Sequence, residues 1–278
     1  MSEASRRELE ELIARSDPDR YVAALFTAPG RRQGLLALYA FNQEVARIRE
    51  IVHEPLVGHI RLGWWREQIA AIYERRAVAM PLAVALQETI DVFGLPRMLF
   101  DAYLDARALD FVEAPFGDEA ALEGYTAATA GALMQLAARV LGAEGRADTA
   151  AREAGLAFAY AGFLRSLGFD ASQRFCRLPV AWLEAEGLNA EDVFAGLATE
   201  ALRKVIGHLG VAALRHAQEA RALRFPTAAI AALAPAALAG PYVRRATNAR
   251  SDPFGKPIDM SQAERVVRIA FSALTWRI

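Results

Sequence analysis

Apolar side chains recur along this 278-residue chain at spacings of three and four, the period of a helix packed on one side. Period-two runs of β-branched residues and Asn-Gly hairpin signals do not occur. Alanine, leucine, arginine and glutamate fill the periodic segments, and these residues lose little on entering a helix. The pattern predicts an all-α protein. A lead-in helix is expected over residues 1–16, followed by helices over 19–26, 31–53, 58–76, 81–93, 96–111, 122–141 and 199–224. Another runs from about Asp148 to the Leu178-Pro179 break, short helices follow at 179–185 and after Asn189, and a last one starts at Ser261. Asp17-Pro18-Asp19 is a strong start signal, an N-cap acid before a proline at the first helical position.

The faces of these helices carry the detail. Leu35, Leu38, Tyr39, Asn42, Ala46 and Glu50 fall on one side of the 31–53 helix. Ile60, Trp64, Ile69 and Tyr73 give the 58–76 helix its apolar positions, with Arg61, Arg66 and Glu67 outside and one ring of Trp64-Trp65 turned inward. Tyr125, Thr129, Ala130 and Gly131 allow close helix approach. Asp101, Asp105 and Asp110 read as a solvated face, with metal binding as the alternative. In Gly155–Pro179, the residues Gly155, Ala159, Gly162, Phe163, Ser166 and Asp170 share a face that ends in a lone carboxylate. Ser166 stands one turn earlier, where a second acid roughly 5–6 Å away at Cβ would complete a divalent-metal clamp.

Composition narrows the function classes. Hydrophobic residues make up 54% and the formal net charge is −1, so there is no basic footprint for nucleic acid. The single cysteine, Cys176, excludes an intramolecular disulfide and fits a reducing cytoplasm. The amino terminus lacks the apolar core of a secretory signal. Phe225–Val243 is uncharged but alanine-rich and broken by Pro226, Pro235 and Pro241, which favours a buried helix pair over a membrane span. No long linker or internal repeat divides the chain, so one domain over residues 1–278 is expected. His208 and His216 lack partners at metal-site spacing and read as surface or lining residues. No phosphate loop, nucleophile elbow or kinase signature is present.

Tyr21, Pro29, Leu38-Tyr39-Ala40-Phe41, Trp65-Arg66, Tyr125 with Ala130-Gly131, and Gly155-Leu156-Ala157 through Leu164-Arg165, Gly168, Asp170-Ala171 and Leu178-Pro179 resemble the squalene/phytoene synthase family. The resemblance spans about residues 16 to 250. It implies an isoprenoid synthase (terpenoid synthase) fold with a central apolar cavity lined by Tyr21, Tyr39, Asn42, Ala46, Glu50, Tyr125, Ala159, Gly162, Arg165, Ser166 and Asp170. Active members hold Mg²⁺ against prenyl diphosphates with two DxxxD-type motifs. Here the motif positions fall on Ala46–Glu50 and Ser166–Asp170, and each leading acid is missing. The family's Cys-Arg after Tyr-Ala-Phe is Asn42-Gln43, and its Gln and Asn before the second motif are Ala159 and Gly162.

Losing most of a metal clamp removes several orders of magnitude in rate, since each 1.36 kcal/mol, or roughly that, is tenfold. The resemblance therefore implies a pseudoenzyme with no catalytic residues, no metal and no cofactor. The segment 40–49 with Glu54-Pro55, Gly58, Ile60-Arg61-Leu62 and Trp64-Trp65-Arg66 further resembles the non-enzymatic branch that serves respiratory complex I assembly. That branch implies a monomer with a prenyl lipid or a respiratory-complex subunit as partner, in the cytoplasm or peripheral at the inner membrane. The alternative is an active Mg-dependent prenyltransferase of isoprenoid biosynthesis, with Glu50 and Asp170 catalytic and Glu50, Asp101, Asp105 and Asp170 as metal ligands. Glu50 and Asp170 have a plainer reading as partners of Arg49, Arg165 or Arg174, and Arg165 as the group that holds Asp170 in place.

Overall fold

Asp17 starts the first core helix as the sequence requires: its side chain accepts the Arg20 backbone N–H and Pro18 takes the first helical position. A computed structural model describes residues 3–52, 54–223, 225–255 and 258–275, and the elements among them are helical. In chain order they are α1 Glu3–Ser16, α2 Pro18–Ala24, α3 Pro29–Ala46, α4 Ile48–Ile51, α5 Pro55–Tyr73, α6 Pro81–Phe93, α7 Arg97–Ala106 and α8 Glu119–Thr126. There follow α9 Ala132–Val140, α10 Arg146–Ser172, α11 Val180–Ala185, α12 Ala190–Phe194, α13 Glu200–Ala222, α14 Ile230–Leu233, α15 Ala239–Ala246 and α16 Gln262–Thr275.

Helix α10 is the axis of the fold. Its face from Leu156 to Leu167 packs with α13, α15 and α8 into one apolar cluster. Its start, Ala147 to Ala154, joins α3, α5, α6, α7 and α9 in another, and Phe158 touches both. Each large side chain removed from water here contributes about 1.5–3 kcal/mol. A close approach sets the register of α10. A Cβ on Gly155 would lie 2.6 Å from the Ala130 carbonyl oxygen and 2.8 Å from the Gly131 Cα, so only glycine lets α10 touch the backbone of residues 127–131. That neighbouring stretch widens into one π-helical turn.

Several expected boundaries move, each for a local reason. The 31–53 helix breaks at Arg47 and resumes as α4, which turns Arg49 toward the loop after α10; His53 lies outside the described residues, as does Arg224 at the far end of α13. The α10 helix stops at Ser172, ahead of Leu178-Pro179, because Arg174 adopts a left-handed backbone (φ 51°) and the Phe175 N–H turns back onto the Asp170 carbonyl at 2.9 Å. On α5 the buried stripe is Gly58, Leu62, Trp65, Ile69 and Ile72. Ile60 and Trp64, expected inside, are 61% and 40% exposed. Phe225–Val243 folds into short α and 3₁₀ turns that bury Leu233, Pro235, Leu238 and Pro241. No helix among the described residues is long and apolar enough to cross a membrane.

Candidate functional site

The C-terminal end of α3, the face of α10 and the loop beyond it enclose a cavity of about 400 Å³. It adjoins a mouth of about 210 Å³ lined by Arg49, Val52, Asp110 and Gln173. Asn42, Ala46 and Glu50 come from α3 and α4, Tyr125 from α8, and Ala159, Gly162, Arg165, Ser166 and Asp170 from α10. These nine expected residues converge. Tyr21 and Tyr39 do not line the cavity: the Tyr21 hydroxyl donates to Glu10 at 3.2 Å, and Tyr39 is buried in the core beneath the Arg20 guanidinium. Asp101 and Asp105 are also outside it. Asp101 pairs with Arg97 at 3.1 Å and Asp105 with Arg66 at 3.0 Å on the outer surface of α7, so the metal set Glu50, Asp101, Asp105 and Asp170 is not assembled.

The cavity is amphiphilic. Phe158, Phe163 and Phe169 supply apolar wall, while five arginines and four carboxylates supply charge. Most of the charges are already engaged. Asp170 is buried and accepts the Ser166 hydroxyl at 2.6 Å together with the Arg177 guanidinium. Burial alone would loosen the Arg177 proton, but Asp170, helped by Tyr125 and Asp110, more than offsets it and holds the guanidinium above its ordinary range. The same guanidinium lies 5.0 Å from the Phe163 ring centroid and 4.5 Å from that of Phe175. Arg165, expected to steady Asp170, instead covers the Tyr242 ring at 4.5 Å and faces Asp19 at 3.7 Å. Arg174 reaches Glu113 and Glu191 on the surface. Glu50 is exposed and has no bonded partner among the described residues.

Beside this pair, Asp110 accepts the Tyr125 hydroxyl at 2.6 Å and Arg107 at 3.2 Å. Arg107 also reaches Asn42 at 3.4 Å, and the Tyr103 hydroxyl donates to the same Asn42 oxygen at 2.9 Å. Burial, with Asp110 as a further cause, pushes the Tyr125 hydroxyl well above its ordinary range. Asp110 was expected on a solvated face. It follows Asp105 by about 140° of helical rotation, on the inward side of the 3₁₀ turn Arg107–Phe111, and is 3% exposed. At the opposite wall, burial raises the Asp19 carboxyl against the pull of Arg265 and Arg165.

The donor set does not fit the divalent cation implied by the family resemblance. Ala46 has no oxygen to offer, Ser166 spends its proton on Asp170, and Asp170 already carries a guanidinium. Arg177, Arg107, Arg20 and Asp17 are the residues that sequence reading missed. Asp17–Arg20 and Arg107–Asp110 are acid–arginine pairs three residues apart, a readable signal; Arg177 had none beyond its place next to Leu178-Pro179.

A second polar cluster lies between α10, α13 and α8. His216 is buried, with Nδ1 2.6 Å from Glu153 Oε2 and 3.7 Å from Glu219 Oε2. Helix α10 thus supplies a partner that spacing along the chain did not reveal. Arg215 approaches the other ring nitrogen at 3.3 Å, and Arg152 binds both Glu153 and Glu123. Burial would raise the Glu153 carboxyl, but its bonds to His216 and Arg152 bring it below the usual range. The cluster reads as a satisfied bridge between helices.

The all-α bundle and its charged cavity share the terpenoid synthase fold of solved squalene and dehydrosqualene synthases. Residues 13–269 match the squalene/phytoene synthase family, and the chain belongs to that family. The chain is 26% identical over 212 residues to human NADH dehydrogenase (ubiquinone) complex I, assembly factor 6, covering 76% of this chain and 64% of that protein's length, just under two thirds. It is 30% identical over 200 residues to presqualene diphosphate synthase of Rhodopseudomonas palustris, 70% of each chain. A solved dehydrosqualene synthase superposes with a TM-score of 0.80 at 18% identity, covering 98% of this chain and 96% of the other, which speaks for the fold.

Proposed function

We propose that this chain is a non-catalytic member of the squalene/phytoene synthase family that assists the assembly of a respiratory NADH:quinone oxidoreductase, with a cavity kept for a prenyl lipid. One observation carries the reading: Asp170, the acid remaining in the second motif, is closed by Arg177 where a catalytic relative would need a divalent cation. Ionising a prenyl diphosphate calls for metal charge on the leaving group, and this chain offers Ala46 and Ser166 at two of the clamp positions. The likeness to complex I assembly factor 6 supports the partner class. The alternative of an active prenyltransferase with rearranged ligands needs Asp101 and Asp105 at the cavity, and both are engaged outside it.

Peripheral contact with a membrane belongs to the same reading. Leu56, Val57, Ile60 and Trp64 form an exposed apolar stripe on α5, and Ile51 and Phe169 are exposed near the cavity mouth. Purified protein with Mg²⁺ and farnesyl or geranylgeranyl diphosphate should release no pyrophosphate, and cells lacking the gene should assemble less NADH:quinone oxidoreductase on native gels. Robust pyrophosphate release, or unchanged assembly in the deletion strain, would sink the proposal.

A further inference from the structure

Away from the cavity, the bridge between α10 and α13 gathers a set of metal-ligating atoms. His216 and Glu219 stand three apart on one side of α13, and Glu153 meets them from α10. Nδ1 of His216 and one carboxylate oxygen each of Glu153 and Glu219 all lie within 4.8 Å of one another. Tetrahedral zinc, about 2.0–2.2 Å from nitrogen and oxygen ligands, sets such atoms roughly 3.4 Å apart. The distances from Nδ1, 2.6 Å to Glu153 and 3.7 Å to Glu219, bracket that spacing. Arg152 takes Oε1 of Glu153, which leaves Oε2 to face the ring. Around His216 the carboxylates of Glu119, Glu123, Glu153 and Glu219 are set against the guanidiniums of Arg152 and Arg215, so negative charge is in excess. The His216 and Glu153 side chains are 2% and 7% exposed, whereas that of Glu219 is 51% exposed; an ion can enter past Glu219 and meet two buried ligands. Tyr160 stacks on the His216 ring at 5.5 Å, and its buried hydroxyl has no hydrogen-bond partner among the described residues, an orphan of the kind that an ordered water or ion resolves.

We propose that Glu153, His216 and Glu219 bind a divalent transition-metal ion of the zinc type, with water in the fourth position, as a clasp between α10 and α13. The ion takes the place of the proton at Nδ1, and the neutral ring carries its one proton on Nε2. Glu123 Oε2, 3.9 Å from Nε2, accepts that proton as the carboxylate that stands behind a metal-bound histidine. Arg215, 3.3 Å from Nε2 in the metal-free arrangement, withdraws to Glu119 and Glu123, which it already reaches at 3.0 and 3.4 Å. An imidazole ligand ranks Zn²⁺ far above Mn²⁺.

Calorimetric titration of tag-free, EDTA-stripped protein with Zn²⁺ and with Mn²⁺ tests this, together with Tm measured in each metal. Zn²⁺ should bind, and Mn²⁺ about a hundredfold more weakly or less. Zn²⁺ at about a hundred times its Kd should raise Tm by about 5 °C or more. His216→Gln and Glu219→Gln should each weaken Zn²⁺ binding by about tenfold or more and remove most of the rise in Tm. Glu219 is on the surface, so Glu219→Gln decides the matter if His216→Gln fails to fold. His59→Gln, at an exposed histidine outside the cluster, should bind Zn²⁺ as wild type does. No Zn²⁺ binding, Mn²⁺ bound as tightly as Zn²⁺, a folded Glu219→Gln protein with unchanged affinity, or loss of binding in His59→Gln overturns the proposal.

Discussion

Replacing Arg177 by methionine removes one half of a charge pair while keeping most of the apolar stem. The side chains of Arg177 and Asp170 are 17% and 10% exposed, so solvent screens the pair little. Breaking such a pair from one side costs about 3–5 kcal/mol, because a buried carboxylate is left behind. Loss of the ring contacts with Phe163 and Phe175 adds about 0.5–1 kcal/mol each. The Ser166 hydroxyl still serves Asp170, and water can enter from the cavity, which brings the expected cost to the low end, about 3 kcal/mol. For a chain of this size that is a fall in Tm of about 6–12 °C. Differential scanning calorimetry of wild type, Arg177→Met, Asp170→Asn and the double variant closes a thermodynamic cycle, with an expected coupling of about 1–3 kcal/mol. A fall of less than about 2 °C for Arg177→Met, or a coupling within about 0.5 kcal/mol of zero, would refute the reasoning: Arg177 would not be committed to Asp170, and the site would be open to a cation.

Three further expectations follow from single residues or faces. Gly155→Ala should cost about 1–3 kcal/mol by denaturant titration, since its methyl meets the backbone of Ala130 and Gly131; Gly162→Ala, with nothing within 4 Å, should instead gain up to about 1 kcal/mol of helix propensity, and equal behaviour of the two variants would remove the close-approach argument. Burial pushes the Cys176 thiol up to about 11 from its ordinary 9.0, so its contribution to stability is fully present below pH 9.0 and is lost as pH rises through about 11. Accordingly, a thiol reagent at pH 8 should label Cys176 only on unfolding, and the Cys176→Ala protein should lose less stability than wild type across that alkaline window; rapid labelling of the folded protein would contradict this. Leu56→Glu with Ile60→Glu should leave Tm nearly unchanged, since the two residues are 71% and 61% exposed, and should abolish flotation with anionic vesicles; flotation equal to wild type would remove α5 as the membrane-facing element.

Helices and their order were legible because the three-four spacing of apolar residues is local information. The Pro81–Phe93 helix shows it best: its proline start and Gly94 end, with φ 61°, frame an uninterrupted period. What stayed hidden depends on geometry that spacing does not encode. The left-handed Arg174 ends α10 without a glycine to announce it. Asp110 stands about 140° around a helix from Asp105, so grouping it with Asp101 and Asp105 on one face hid that it turns inward as a buried acceptor. His216 meets Glu153 from 63 positions earlier in the chain, and Arg177 meets Asp170 only because the chain reverses between them. The missing acids of the cavity could be read directly; the arginine that fills their place could not.

The two missing acids and Arg177 bear on one another energetically. Asp170 alone in this half-closed site, without metal or counter-ion, would pay the desolvation of a buried carboxylate, several kcal/mol, or roughly that, before relaxation; Arg177 offsets this and at the same time blocks the divalent ion. Restoring the acids at positions 46 and 166 should therefore not restore metal binding. In an Ala46→Asp, Ser166→Asp protein, the new carboxylate at 166 would join Asp170 around the Arg177 guanidinium, and the pair would remain closed to Mn²⁺. Adding Arg177→Gln to those two changes leaves two carboxylates one helical turn apart, roughly 5–6 Å at Cβ, with no guanidinium between them. Mn²⁺ binding followed by electron paramagnetic resonance should then appear in the triple variant and be absent from the double. If the double variant binds Mn²⁺ as well as the triple, Arg177 is not the element that keeps the metal out, and the loss of acids alone accounts for the dismantled clamp.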